Sequence, residues 1–315
     1  MSNASLSSLV VPVYRNASTI DVLVDAIAHI ESEVTGRLET IFVLDGSPDN
    51  SRELLTSALA GRGLSAQIVE HSRNFGSFAA IRTGMRLAQG QYIAVMAADL
   101  QEPPGLIIEF LQRLQTGTVD VLAGERASRA DRDTASRFYW RLYRRFVLRE
   151  MPPEGVDVFA CTAAVRDVIC SMEGVHTSLV AQLFWVGFRR QLVPYDRKAR
   201  PGESGWTLSR KLRYLSDSVF AFTDLPVRIL WLAGGVGLTL GVLVGILVLI
   251  ARATGTITVP GYAPTILVIV FFGSLNLLGL GIIGSYVWRA YENTKRRPDA
   301  IVREIVSVSG EKANG

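Results

Sequence analysis

The first half of the chain alternates short apolar runs with stretches whose apolar residues recur at helical spacing. Such runs are typical of buried strands and such stretches of amphipathic helices. Strands are predicted at Leu9–Val13, Thr40–Leu44, Gln67–Glu70, Tyr92–Met96 and Val119–Ala123. Helices are predicted between them, at about Ser18–Glu31, Ser51–Ala60, Phe78–Ala88 and Pro104–Gln115. This alternation indicates an α/β domain with a mostly parallel sheet that is covered by helices on both faces.

The pattern changes in the last third of the chain. Within 227–289, two segments without charge, about 229–251 and 264–288, have roughly 23 and 25 residues, and each could cross a hydrocarbon core of about 30 Å. Two C-terminal transmembrane helices are therefore predicted. Glycines on both helices would allow close packing within one chain or in a homo-oligomer.

Basic residues flank this pair of segments, whereas the connection Ala253–Ala263 has no charge. The positive-inside rule then places the N-terminal α/β domain and both termini in the cytoplasm. We expect a multi-pass protein of the inner (cytoplasmic) membrane. Two further segments mix basic and apolar residues, near 135–149 and at 207–226. They are predicted as an interfacial helix and a juxtamembrane amphipathic helix, with ordinary core-packed helices as the alternative.

Composition agrees with a soluble head joined to a membrane segment. Of the 315 residues, 49% are hydrophobic and 20% are charged, and the net charge is +4. We predict a head at 1–206 and a cytoplasmic tail at 290–315. No nucleic-acid partner is expected.

Polar residues follow several of the predicted strands, where a parallel sheet binds its ligands. Tyr14 and Asn16 follow the first strand, Asp45 the second, and Asp99 and Gln101 the fourth. A nucleotide contact and a structural turn with a helix cap are both open interpretations of Asp45.

These motifs, in this order, resemble family 2 glycosyltransferases of the GT-A fold that act on polyprenyl phosphates, and the resemblance covers nearly the whole chain. The motifs that carry it are Val10-Val11-Pro12-Val13-Tyr14, Leu44-Asp45-Gly46-Ser47-Pro48-Asp49, Arg73-Asn74-Phe75-Gly76, Ala98-Asp99-Leu100-Gln101-Glu102-Pro103-Pro104, Gly155-Val156-Asp157 and Gly202-Glu203-Ser204.

The resemblance implies transfer of a sugar, with inversion, from a nucleotide-sugar donor to the phosphate of a membrane polyprenyl phosphate. It favours a uridine nucleotide, undecaprenyl phosphate and a role in modifying cell-envelope glycans. It also implies a Mg²⁺ or Mn²⁺ ion, held by Asp99 and Gln101, because hard oxygen ligands suit these cations. Relatives have an aspartate where this chain has Ala97 and a second acidic residue where it has Leu44.

The matched positions also imply roles for other residues. The donor nucleotide-sugar is expected to contact Pro12, Tyr14, Asn16, Val43, Asp45, Ala98 and Asp99. Asp157 matches a candidate catalytic base, with a structural loop carboxylate as the alternative, and Asp99 is the other predicted catalytic residue. Arg126 and Arg200 are the predicted ligands of the acceptor phosphate or the diphosphate, and Arg197 is a rival to Arg200.

Two other functions are open. A processive polysaccharide synthase usually has a Gln-x-x-Arg-Trp motif, but Gln182-Leu183-Phe184-Trp185 lacks the arginine. A membrane-anchored nucleotide-sugar-binding or scaffold protein that has lost its chemistry would explain Leu44 and Ala97. Transfer of sugar to lipid would separate this second alternative from an enzyme.

Overall fold

The computed structural model describes residues 5–126, 141, 144–145, 150, 152, 155–172, 178–196, 219, 223, 225–254, 261–295 and 297–310. The chain forms two compact units. Residues 1–208 and 297–315 belong to the first unit, and residues 209–296 form the second. The chain thus leaves the first unit once and returns to it before its end.

The first unit alternates strands and helices. Its strands are β1 (Leu6–Val13), β2 (Arg37–Leu44), β3 (Ala66–His71), β4 (Tyr92–Val95), β5 (Val121–Arg126), β6 (Phe159–Thr162), β7 (Arg190–Tyr195) and β8 (Val302–Val308). Its helices are α1 (Ile20–Glu33), which a 3-10 turn at Ala17–Thr19 precedes, α2 (Ser51–Arg62), α3 (Ser77–Leu87), α4 (Pro104–Gln115), α5 (Ala163–Ser171) and α6 (Leu179–Trp185). The predicted strands and helices all form, with ends that differ by a few residues.

The strands form one sheet in the order β7-β5-β6-β4-β1-β2-β3-β8. The centre is parallel, since β1 pairs with β2 and β4, and β2 with β3. β6 runs antiparallel between β4 and β5, and β8 runs antiparallel along β3. The predicted mostly parallel sheet is therefore confirmed, with antiparallel strands added at two places.

Residues of β1 alternate between the two faces of the sheet. Leu9, Val11 and Val13 are buried in the main core, together with residues of α1, α2 and α4. On the other face, a Cβ at Gly84 of α3 would lie 2.3 Å from a methyl group of Val10, so α3 packs directly on the strand. Apolar residues on both faces explain why the strand lacks polar alternation.

Three strands were not predicted. β6 has only four residues, and β7 and β8 mix charged and apolar residues without a continuous apolar run. β8 lies in the segment predicted as a tail, and it pairs with β3 from Ala66↔Val308 to His71↔Val302. Its place is set by the exposed edge of β3, which a local pattern does not reveal.

The second unit contains helices at both predicted membrane segments. They are α7 (Leu225–Ala253) and α8 (Tyr262–Thr294). Among the described residues, one segment, Phe271–Thr294, is long and apolar enough to cross a membrane, and Leu225–Gly241 is a shorter apolar segment. The structure therefore supports one candidate span, and the second stays a prediction. Most of the segment near 135–149, predicted as an interfacial helix, and most of 207–226 lie outside the described residues.

Candidate active site

The predicted site residues lie at the carboxyl ends of neighbouring strands. β4, β1 and β2 are adjacent and parallel. Asp45 directly follows β2, Asp99 lies shortly after β4, and Arg126 is the last residue of β5. Because the carboxyl ends of parallel strands share one edge, the fold brings the separate sequence motifs to the same side of the sheet.

Asp45 lies buried at this edge, and both of its carboxylate oxygens make hydrogen bonds. It is 2% exposed, and its Oδ1 lies 2.9 Å from Nδ1 of His71. The backbone N–H of Phe75 donates to Oδ1 at 2.8 Å, and that of Gly76 donates to Oδ2 at 2.7 Å. His71 is itself buried, and its Nε2 lies 3.0 Å from Oγ1 of Thr83 on α3. Asp45 therefore joins the ends of β2 and β3 to the first turn of α3.

Burial opposes ionisation of Asp45, but the hydrogen bonds from His71 and from the amides of Phe75 and Gly76 outweigh it and lower its pKa. The side chain is thus ionised at neutral pH and holds the 72–76 loop in place. This arrangement favours the structural interpretation of Asp45. Its predicted contact with the nucleotide stays a prediction.

Gly46 needs to be glycine because of its backbone and its neighbours. Its φ is +59°, and a Cβ there would lie 2.4 Å from the carbonyl carbon of Arg73 and 2.5 Å from the amide nitrogen of Asn74. The loop after β3 therefore lies directly against the turn after β2. Two motifs of the predicted site, at 44–49 and at 73–76, are in backbone contact.

A hydrogen-bonded network joins the ends of β1 and β2. The amide of Arg15 donates to Ser47 Oγ at 2.8 Å, and the amide of Ala17 donates to Asp49 Oδ2 at 3.1 Å. The hydroxyls of Ser47 and Ser51 donate to Asp49 Oδ1 at 2.6 and 2.8 Å. Burial opposes its ionisation, but these bonds lower the pKa of Asp49. Hydrogen bonds thus join the two loops into one rim at this edge of the sheet.

The remaining predicted donor contacts differ in their exposure. Tyr14 is 40% exposed on the rim, whereas Val43 and Ala98 are buried. Pro12 pairs with Val43 across β1 and β2. Asn16 is used locally, because its Oδ1 accepts the amide of Tyr14 at 3.0 Å. Tyr14 is therefore the best placed of these residues to meet a ligand through its side chain.

Asp99 and Gln101 lie in a turn after β4. Leu100 between them has a φ of +52°, and the amide of Gln101 approaches Asp99 Oδ1 at 3.5 Å. Asp99 is half-buried and Gln101 is 6% exposed. The described residues include no group of three or more histidine, cysteine or acidic side chains that could hold a metal ion. One carboxylate and one amide oxygen fit a Mg²⁺ or Mn²⁺ ion only if a ligand supplies most of the other oxygens.

Arg126 and Asp157, predicted separately from distant motifs, form an ion pair between Nη2 and Oδ2. The Arg126 side chain is 10% exposed and that of Asp157 is 34% exposed. Burial disfavours the charge on Arg126, but Asp157 outweighs it and raises the arginine pKa. Arg200 and its rival Arg197 lie outside the described residues.

Some residues at the site lie outside the sequence motifs that predicted it. His71 and Thr83 hold Asp45 in place, and Tyr195 lies beside Arg126 because β5 and β7 pair there. His71 stands out in the sequence as a buried-strand histidine next to Arg73-Asn74, so it could have been proposed. Tyr195 could not, because only the pairing of β5 with β7 places it at the site.

Comparison with known proteins shows which family the chain resembles in sequence. The sequence model of the family described as "Glycosyl transferase family 2" matches residues 8–183. The chain is 31% identical over 306 residues to the putative glycosyltransferase CsbB of Bacillus subtilis (strain 168), covering 95% of this chain and 92% of that protein.

A second relative is the undecaprenyl-phosphate 4-deoxy-4-formamido-L-arabinose transferase of Aeromonas hydrophila subsp. hydrophila. It is 29% identical and matches over 96% of this chain and 94% of its own length. Among solved structures, glucosyl-3-phosphoglycerate synthase from Mycobacterium tuberculosis, in complex with Mn²⁺, UDP-glucose and phosphoglyceric acid, aligns with a TM-score of 0.50. That match has 17% sequence identity and covers 69% of this chain and 78% of the other. The predicted GT-A fold of the head is thereby confirmed.

Proposed function

Because this chain belongs to glycosyl transferase family 2, we propose that it transfers a sugar from a nucleoside-diphosphate sugar to the phosphate of a membrane polyprenyl phosphate. The reaction inverts the anomeric carbon, the favoured donor is a uridine nucleotide, and the favoured acceptor is undecaprenyl phosphate. One observation carries this proposal. The glycosyltransferase unit is made of two chain segments, and between them in the sequence lies an apolar helix that is long enough to span a membrane.

The acceptor is proposed from two independent supports. A water-soluble acceptor would not require a membrane segment, whereas a polyprenyl phosphate stays in the bilayer. Relatives that are 28–29% identical over almost the whole chain are named for transfer to undecaprenyl phosphate. Both supports favour a lipid acceptor whose product would serve in the modification of cell-envelope glycans.

The path of the chain supports a membrane hairpin. β8 pairs with β3, so residues 302–308 lie on the same side of the membrane as the head. The segment between them, 209–296, must then cross the membrane an even number of times. With one candidate span at Phe271–Thr294, the second crossing is assigned to α7, and the protein is multi-pass.

The proposed reaction forms a bond between an acceptor phosphate oxygen and the anomeric carbon while the bond from that carbon to the donor diphosphate breaks. A phosphate monoester with a second pKa of about 6 is mostly a dianion at neutral pH, so a strong general base is not required. Asp157 is therefore proposed to orient Arg126 rather than to remove a proton. Arg126 is proposed to bind a phosphoryl oxygen, since the guanidinium fork suits phosphate.

Asp99 and Gln101 are the proposed ligands of a divalent cation. Such a cation, when bound, would neutralise negative charge on the departing nucleoside diphosphate. With Ala97 where relatives have an aspartate, most of its ligands would be donor phosphate oxygens and water. The affinity for the cation should consequently rise when the donor is present.

The alternative function is a membrane-anchored protein that binds nucleotide-sugars without turning them over. Its specific support is the loss of acidic side chains at Leu44 and Ala97, together with the sparse metal ligands of the described residues. Against it stands the Arg126–Asp157 pair, which joins two elements at the ligand edge of the sheet.

The test is transfer of label from a panel of radiolabelled nucleotide-sugars to undecaprenyl phosphate by the purified full-length protein in detergent. We expect label in the lipid phase from at least one donor with Mg²⁺ or Mn²⁺, and its loss with EDTA. Asp99→Asn should reduce the rate by about 100-fold or more, because charge stabilisation at the leaving group is lost.

Asp167→Asn is the matched control, because Asp167 is a 67% exposed carboxylate on α5, which follows β6 where Thr162 pairs with Tyr92 at the amino end of β4. Its rate should equal that of the unmodified protein. Binding of nucleotide-sugar without lipid product from any donor would support the alternative function instead.

A further inference from the structure

Tyr195 lies directly beside the guanidinium of Arg126. The two residues are in register on the parallel strands β7 and β5. Gly124, two positions before Arg126, leaves the space that the ring occupies, because a Cβ there would lie 2.8 Å from Cε1 of Tyr195 and 2.5 Å from a methyl group of Val158. The absent side chain at Gly124 thus lets the tyrosine pack close to the arginine.

Arg126 is held at one end only. Its Nη2 is paired with Asp157, whereas its Nε is buried and makes no hydrogen bond with any residue that the structure describes. The hydroxyl of Tyr195 is likewise buried, and it interacts with the Arg126 guanidinium without a well-aligned hydrogen bond to any residue that the structure describes. Buried polar groups normally have a partner, so two adjacent exceptions call for an explanation.

Burial and the charges around Tyr195 keep its hydroxyl protonated. Burial and the charges of Asp157 and Glu102 raise its pKa to about 12, although Arg126 acts in the opposite direction. The tyrosine is 5% exposed and Glu102 is fully buried. A neutral hydroxyl against the guanidinium can align the arginine without cancelling its charge, as a second carboxylate would do.

We propose that Tyr195 is a positioning residue that aligns Arg126 for a phosphoryl oxygen of the substrates. The inference rests on the proposed function and deepens it. Asp157 holds Nη2 of the guanidinium, and the Tyr195 hydroxyl limits the rotation of the group about that contact. Nε stays free to turn toward the anion when it binds. Arg126 touches the ligand, and Tyr195 acts through it.

The test measures direct binding of two ligands by calorimetry, undecaprenyl phosphate and UDP, to the full-length protein in detergent. We expect Tyr195→Phe to weaken the binding of one of them by about three- to tenfold, the range of one net hydrogen bond, because the hydroxyl and the guanidinium would complete their hydrogen bond when the anion aligns Arg126. The ligand that is affected tells whether Arg126 binds the acceptor phosphate or the diphosphate. Turnover at saturating substrate should change less than binding.

A double-mutant cycle separates positioning from a general structural role. If Tyr195 acts through Arg126, then Tyr195→Phe should have no further effect on binding in an Arg126→Lys background, which retains the charge but not the fork. Tyr92→Phe is the control, since Tyr92 lies at the opposite, amino end of β4. It should bind both ligands normally.

Unchanged affinity for both ligands in a folded Tyr195→Phe protein would overturn the inference, and so would an equal loss in the Arg126→Lys background. If Tyr195→Phe does not fold, Gly124→Ala, which displaces the ring but keeps the hydroxyl, decides: normal affinity for both ligands overturns the inference. Because binding is measured without turnover, failure of this inference is distinct from failure of the proposed function, which is absence of lipid product from the unmodified protein.

Discussion

At the scale of single residues, the site depends on buried contacts that join one loop to another. Asp45 illustrates this point, because its two oxygens accept from two backbone amides and contact a buried histidine. A neutral amide could not replace all of these contacts, since its NH₂ group would face hydrogen-bond donors. The carboxylate is therefore required by the fold even before any ligand binds.

Asp45→Asn should lower the free energy of unfolding by about 2 kcal/mol at neutral pH, because a buried charge-assisted network is broken. The pKa of Asp45 is lowered in the folded protein. Its ionised form therefore stabilises the fold above the ordinary aspartate pKa, and this contribution is lost as the pH falls through the lowered value. Thermal unfolding of the unmodified protein and of Asp45→Asn should be measured from neutral to acidic pH. The difference between their unfolding temperatures should become smaller as the pH falls.

The control for this experiment is Asp25→Asn. Asp25 pairs with a cationic side chain, that of Arg62, but its own side chain is 64% exposed on α1. Its replacement should change the unfolding temperature little. If Asp45→Asn and the unmodified protein unfold at the same temperature at neutral pH, or if the difference between them grows in acid, the structural role of the carboxylate is contradicted.

At the scale of elements, β8 shows how the chain end completes the sheet. Glu304 lies opposite Glu70 of β3, and like charges directly across a strand pair are destabilising. Arg52 of α2 bridges the two carboxylates, at 2.5 Å to Glu70 and 2.7 Å to Glu304. A helix residue thus makes the pairing of the last strand compatible with its charges.

Arg52→Ala should destabilise the protein by about 1 kcal/mol, because it leaves Glu70 and Glu304 facing each other. Arg113→Ala is the matched control, since it removes an arginine that pairs with one glutamate, Glu109, along α4. That change should cost about 0.5 kcal/mol or less. Chemical unfolding of both variants at low and high salt measures the difference, and equal costs would show that Arg52 does not serve β8.

The elements also show what sequence patterns can predict. β1 to β5 and α1 to α4 were predictable, because continuous apolar runs and helical periodicity are local signals. β6, β7 and β8 were not, because their places depend on the edges offered by other strands. The same division holds in the site: Arg126 and Asp157 could be proposed from motifs, but their pairing, and the nearness of Tyr195, arise from strand order.

At the scale of the whole molecule, strand pairing constrains membrane topology. The chain enters the segment 209–296 from the first unit and returns to it. If the segment spans a membrane as proposed, its two ends must lie on one side of the bilayer. The loop between α7 and α8 should lie on the other side if the hairpin spans the membrane.

Two variants with one accessible cysteine each test this topology, Ser309→Cys after β8 and Thr258→Cys between the helices, both in a Cys170→Ser background. Cys161 can stay, because it is fully buried. In intact bacterial spheroplasts, a membrane-impermeant maleimide should label the Thr258→Cys protein and not the Ser309→Cys protein, and lysis should allow both to react. Labelling of both variants, or of neither, before lysis would contradict the hairpin.

The central claim is that one sugar moves to a lipid phosphate and that the nucleoside diphosphate leaves. The most direct measurement is mass spectrometry of the lipid product, combined with quantification of the released nucleotide, using the donor that the panel identifies. The account predicts undecaprenyl phosphate plus one sugar residue and an equal amount of nucleoside diphosphate. Release of nucleoside monophosphate with a sugar-diphosphate lipid, or nucleotide release without a lipid product, would contradict it.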